Sequence, residues 1–191
     1  MSKMLKTILV VVAIIAIIFV PVISGYNNMV KLDQTVKQSE SDIDTQLQRR
    51  SDLIPNLVAT VKGYATQEKT IFTEIADARA KLSGAQTITD KANADAQLSN
   101  SLSRLLVIVE NYPTLKSDQN FRDLSVALEG TENRINIARK DYNTAVSNYN
   151  SAIVTFPNSI IAGIFRFDQK PYYKATEGAK EVPKVDFTTG K

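Results

Sequence analysis

The chain lacks cysteine, histidine and tryptophan altogether across its 191 residues. Without cysteine there are no disulfides, no thiolate nucleophile and no lipoprotein-type lipid anchor. Without histidine there is no Cys/His zinc site, and the commonest general base is missing. Charge of one sign is scarce as well. The net charge is +3, but residues 26–165 hold 15 basic and 16 acidic side chains, so the excess sits at the two ends. Nucleic-acid binding needs a concentrated basic face, and none is present. The sequence therefore predicts no nucleic-acid partner, no enzymatic activity, no cofactor and no metal.

What the chain has is apolar runs of one kind. Between Thr7 and Val30 there is no charged residue, and Ile8 to Val20 is uninterruptedly apolar. This reaches the ~20 residues that a helix needs to cross a bilayer. Lys3 and Lys6 precede it, which by the positive-inside rule places the N-terminus in the cytoplasm and the remaining chain outside it. Lys31 and Lys37 on the far side weaken that assignment. A cleaved signal peptide is the competing reading, but Pro21 and Ile23 make a poor small-x-small site. Residues 1–25 are thus expected to be a retained transmembrane anchor.

Beyond Tyr26 the periodicity is helical, with no strand alternation. Val36, Ile43, Leu47, Ile54, Val58, Val61, Ala65, Phe72, Ile75 and Leu82 recur mainly at three, four or seven residues, an amphipathic stripe ended by Ser83-Gly84. A second stripe runs through Ala94, Leu98, Leu102, Leu105 and Val109 to the stop at Tyr112-Pro113. A third, N-capped by Asp118, runs from Phe121 to Phe156. Pro55 inside the first stripe favours a bend or break, with Asp52 capping a new helix. The fold class is all-α: an N-terminal transmembrane helix, then an up-and-down bundle of about four long helices, or three if the first is continuous. From Asp168 to Lys191 the chain reads as a loose polar tail.

Specific residues carry a resemblance to a family. Arg49-Arg50-Ser51-Asp52-Leu53-Ile54-Pro55-Asn56-Leu57 and the following Val58 to Tyr64 closely resemble the defining segment of the LemA family of bacterial membrane proteins. Val109 to Lys116, Thr131 to Ile135, Tyr142-Asn143, Tyr149-Asn150 and Phe156-Pro157 match later blocks in the same order. The resemblance covers about Tyr26 to Phe167, making 26–167 a LemA-like bundle. It implies about four helices behind one membrane helix, and no established enzymatic activity. Where relatives often carry tryptophan, this chain has Ser39 and Ser41.

Three groups stand out as candidate interaction residues. Arg49, Arg50 and Asp52 form a charged cluster. Its structural reading is that one arginine pairs with an acid such as Glu132 while the other is solvated, a common device at a bundle seam. Asn143 and Asn150, a heptad apart, suit either register-setting in the core or an interface. Ile160, Ile161, Ile164 and Phe165 form an apolar patch too short to span a membrane, suited to lipid or subunit contact or to capping the bundle end. Asp42, Asp44 and Asp52 lack the histidines that a di-metal bundle uses. The expected role is a self-assembling, lipid-associated envelope scaffold whose partners are the bilayer and copies of itself. The alternative is an adaptor for a membrane protease or transporter.

Overall fold

The structure, a computed structural model, describes residues 3–174, without the side chains of 3, 6, 10, 11, 14–16 and 18. Six helices make up the described chain: α1 (Lys3–Lys62), α2 (Lys69–Gly84), α3 (Ile88–Val109), α4 (Pro113–Lys116), α5 (Gln119–Val154) and α6 (Asn158–Phe165). No strand occurs among the described residues, so the all-α class holds. The expected anchor, 1–25, includes positions outside the described residues. Among those described, no helix is long and apolar enough to cross a membrane.

The chain forms two compact units. The first comprises residues up to Gln46 together with Arg134–Tyr172. Its core takes Met29, Val36 and Ile43 from α1, a heptad apart, with Ile135, Tyr142, Val146 and Tyr149 from α5. The second comprises Leu47–Asn133 and Tyr173 onward. Here Leu47, Ile54, Leu57 and Val61 of α1 join Ile71, Ile75 and Leu82 of α2, with Leu98, Leu102 and Leu105 of α3. Each such side chain contributes roughly 1.5–3 kcal/mol on burial.

Pro55 does not break α1, contrary to the sequence expectation. Proline has no N–H for the carbonyl four residues back, and in a helix interior it costs ~3 kcal/mol. The orphaned carbonyl is that of Ser51. Arg79 of α2 donates from Nε to it and to Ser51 Oγ, both at 3.0 Å. A tertiary donor thus replaces the missing backbone one. Asp52 caps nothing: it is exposed and accepts from Gln48 Nε2 one turn earlier.

The first stripe divides elsewhere. It was expected to run on to Ser83, but α1 stops at Lys62 and α2 begins at Lys69. Gly63 and Ala65 bond back to Ala59, Thr60 and Val61. Ala65 and Phe72 stay buried because the turn keeps their spacing in phase with the stripe. The other ends follow local chemistry. Thr87 Oγ1 accepts from Asp90 N, capping α3, and donates to the Asp90 carboxylate. Pro113 opens α4 at a position that needs no donor. Asp118 Oδ1 accepts from Phe121 N at 2.9 Å, the predicted cap of α5. That bond, with Tyr64 Oη on Oδ2, holds the Asp118 carboxyl below its usual range, with the Phe121 amide the largest cause.

Candidate functional site

The second unit is built around Arg50. On α1 it occupies the same heptad register as Met29, Val36, Ile43 and Leu57 and, like them, is buried. A guanidinium there must be paired. Its Nη1 lies 2.8 Å from Asp95 Oδ1 of α3 and 2.7 Å from Glu132 Oε2 of α5. The Asp95 contact is also an aligned hydrogen bond. The Glu132 contact is an ion pair at hydrogen-bond distance without hydrogen-bond alignment. Asp95 is 0% exposed, whereas the Glu132 side chain is 36% exposed. Screening by water therefore makes Asp95 the stronger partner. Tyr173 Oη donates to the second Asp95 oxygen at 3.2 Å.

The sequence-predicted cluster separates here. Arg49 and Asp52 are exposed while Arg50 and Ser51 are buried. Asp42, Asp44 and Asp52 are exposed, and among the described residues no group of three metal-ligating side chains occurs. Asp95 and Tyr173 were not foreseen. Asp95 had a legible signal: it sits three residues before Leu98, on the apolar register of α3.

The first unit holds the other predicted residues. Asn150 reads the backbone of residue 170 in both directions: Nδ2 donates to Lys170 O at 2.9 Å, and Oδ1 accepts from Lys170 N at 2.8 Å. Asn143 is half-buried and takes part in further bonding. Tyr142 Oη donates to Pro171 O at 2.9 Å. Burial, and then the Glu40 charge, push the Tyr142 phenol up to about 12. Lys170 Nζ reaches Asp33 Oδ1 at 2.7 Å, and Lys37 takes the other Asp33 oxygen at 2.8 Å. Burial works to raise the Asp33 carboxyl, but the two lysines outweigh it and hold it below its usual value. Lys170 and Pro171 are thus strapped down rather than part of a loose tail. The remainder of the expected tail, 175–191, lies outside the described residues.

The apolar patch is α6, and it divides by face. Ile161 and Ala162 are buried, whereas Ile160, Ile164 and Phe165 are exposed. The helix lies against Gly25 of α1, where a Cβ would come within 2.8 Å of Ile161 Cδ1 and 2.9 Å of Asn158 Oδ1. Glycine allows this close approach. Tyr26 then meets the rings of Phe165 and Phe167, with centroids at 4.8 and 5.7 Å. Arg166 ends α6 in the left-handed region (φ 57°, ψ 49°), which costs a non-glycine residue roughly 1–2 kcal/mol. In exchange its N–H and that of Phe167 both bond to Ala162 O.

Residues 39–187 match the model of the LemA family. The chain belongs to the LemA family. Two magnetosome proteins MamQ of Paramagnetospirillum magneticum (strain AMB-1), MamQ 1 and MamQ 2, are each 28% identical to this LemA-family chain over 202 aligned positions, covering 91% of it and 72% of the relative. Protein LemA of Metamycoplasma hominis is 25% identical, covering 90% of this chain and 78% of the relative. The LemA match spans the Arg50 cluster, Asn150 and α6. Residues before 39 fall outside it.

Proposed function

We propose that this LemA-family protein is a non-enzymatic scaffold of the bacterial cell envelope, anchored by the uncharged start of α1 and assembling with copies of itself on lipid. One observation carries this reading. Helix α6 is docked at Gly25 through Ile161 and Asn158, where the uncharged run of α1 is ending, and it leaves the face with Ile160, Ile164 and Phe165 exposed. An amphipathic helix at that level suits the boundary between headgroups and acyl chains. Its aromatic neighbour Tyr26 is of the kind that settles there. The arrangement supports a helical domain that begins at the membrane surface, and Lys3 and Lys6 before the apolar run support placing it on the extracytoplasmic side.

The test has two parts. Membranes containing the full chain are washed with alkaline carbonate, and the protein is expected to stay in the pellet. Release into the wash would remove the anchor. Detergent-extracted protein is then weighed by native mass spectrometry with its lipid. Multiples of the 21.1 kDa chain are expected, and a uniform monomer would remove the scaffold.

An adaptor role for a membrane protease or transporter is favoured by a second feature. In the second unit Leu102, Leu106, Val126 and Leu128, with Ser99 and Ser103, line a mainly apolar cavity of about 490 Å³. Small residues beside exposed leucine and valine suit a partner helix. Crosslinking from Val126 to a stoichiometric heterologous protein would support it, and crosslinks only between identical chains would exclude it.

A further inference from the structure

In the first unit, a cavity of about 500 Å³ opens between the Tyr26–Asp33 stretch of α1, α5 and the strap after α6. Its walls include the rings of Tyr26, Phe165 and Phe167 and the charged side chains of Arg166, Asp168 and Lys170. The charges are not equivalent. Lys170 is spent on Asp33 and lies over the Tyr149 ring at 5.3 Å. Among the described residues, neither Arg166 nor Asp168 makes an ion pair. The cavity therefore offers one unneutralised cation and one unneutralised anion, two residues apart, beside aromatic faces. Arg166 is also the only described non-glycine residue with positive φ. A glycine would serve the backbone there better, yet the position carries a guanidinium.

We propose that this cavity binds the headgroup of a zwitterionic phospholipid of the ethanolamine class. The inference rests on the membrane reading above, because Tyr26 and α6 are what bring the cavity to headgroup depth. The Arg166 guanidinium takes the phosphate, whose oxygens match its fork of donors. The ammonium lies toward the Asp168 carboxylate and the aromatic faces, which attract a cation. An anionic headgroup without an amine satisfies Arg166 but faces Asp168 with no counter-charge. The cavity thus selects by charge pattern rather than by net charge.

Full-length protein in detergent is equilibrated with equimolar dioleoyl-phosphatidylethanolamine and dioleoyl-phosphatidylglycerol, and bound lipid is counted by native mass spectrometry. The ethanolamine lipid is expected to dominate on the wild type. Arg166→Gly suits the left-handed backbone and removes the side chain with its guanidinium, so helicity and melting temperature should hold while occupancy falls roughly tenfold, the loss of about one good charge-assisted contact. Asp168→Asn should erase the preference and leave the two lipids equal. Unchanged occupancy in Arg166→Gly, or a wild-type preference for the glycerol lipid, overturns the proposal. Soluble glycerophosphoethanolamine should compete poorly, and equal competition would assign the cavity to a free phosphodiester instead. Failure of the membrane reading is seen separately: carbonate releases the wild-type chain whatever the lipid counts are. Retention in the pellet with variant-insensitive binding removes the headgroup site alone.

Discussion

Arg50 shows how one residue sets the chemistry of a core. Its guanidinium occupies a heptad position that is otherwise apolar, and the wholly buried Asp95 answers it. Removing Asp95 leaves the buried guanidinium with only the part-exposed Glu132. Asp95→Ala should therefore lower unfolding free energy by about 3–5 kcal/mol, read by urea denaturation. Replacing both residues by leucine should recover most of that loss, since a buried pair is often no better than apolar packing of similar volume. A double variant as unstable as Asp95→Ala would show that the cluster does more than satisfy itself. Tyr142 gives a pH prediction. Its phenol is raised from 10.0 to about 12 by burial and by Glu40, so the native state holds the proton more tightly than the unfolded chain. That stability is fully present below pH 10 and is lost as pH rises through the folded value. The ionised oxygen can no longer donate to Pro171 O. Thermal melts should fall between pH 10 and 12 in wild type, and less steeply in Tyr142→Phe.

At the scale of the helix, Pro55 and Arg79 form a repair. Arg79→Ala leaves the Ser51 carbonyl buried without a donor, a loss of about 1–3 kcal/mol. Pro55→Ala restores a backbone N–H to that carbonyl. In a double-mutant cycle, the Arg79 substitution should cost much less in the Pro55→Ala background. Additivity would mean that Arg79 acts on something else. This also explains what the sequence conveyed and what it withheld. The stripes, the Asp118 cap and the Tyr112-Pro113 stop were legible because each is a local signal. Continuity of α1 through Pro55 was not, because the compensating donor comes from a residue 28 positions away. The turn at 63–68 was hidden because apolar spacing stayed in phase across it. Arg50 was visible as a candidate, and Glu132 as its acid. The cavity beside α6 was invisible, since it depends on a glycine contact between Gly25 and residues far along the chain.

For the whole molecule, the segment after α6 is tied by side-chain hydrogen bonds in each unit. Three bonds to the main chain of 170 and 171 come from Asn150 and Tyr142, and Tyr173 closes on Asp95. Ending the chain at Phe167 should lower the melting temperature by several degrees, at about 1 kcal/mol per lost hydrogen bond. An unchanged melt would show that these bonds merely decorate the fold. The two units raise one more consequence, concerning synthesis. The first is interrupted in sequence by nearly all of the second, since its two parts end at Gln46 and resume at Arg134. A ribosome therefore delivers almost every residue of the second unit before the first can close. At typical elongation rates the opening segment waits on the order of ten seconds for its partners. During that wait Met29, Val36 and Ile43 have no α5 to bury them, and the nascent chain must be protected by something other than its own fold.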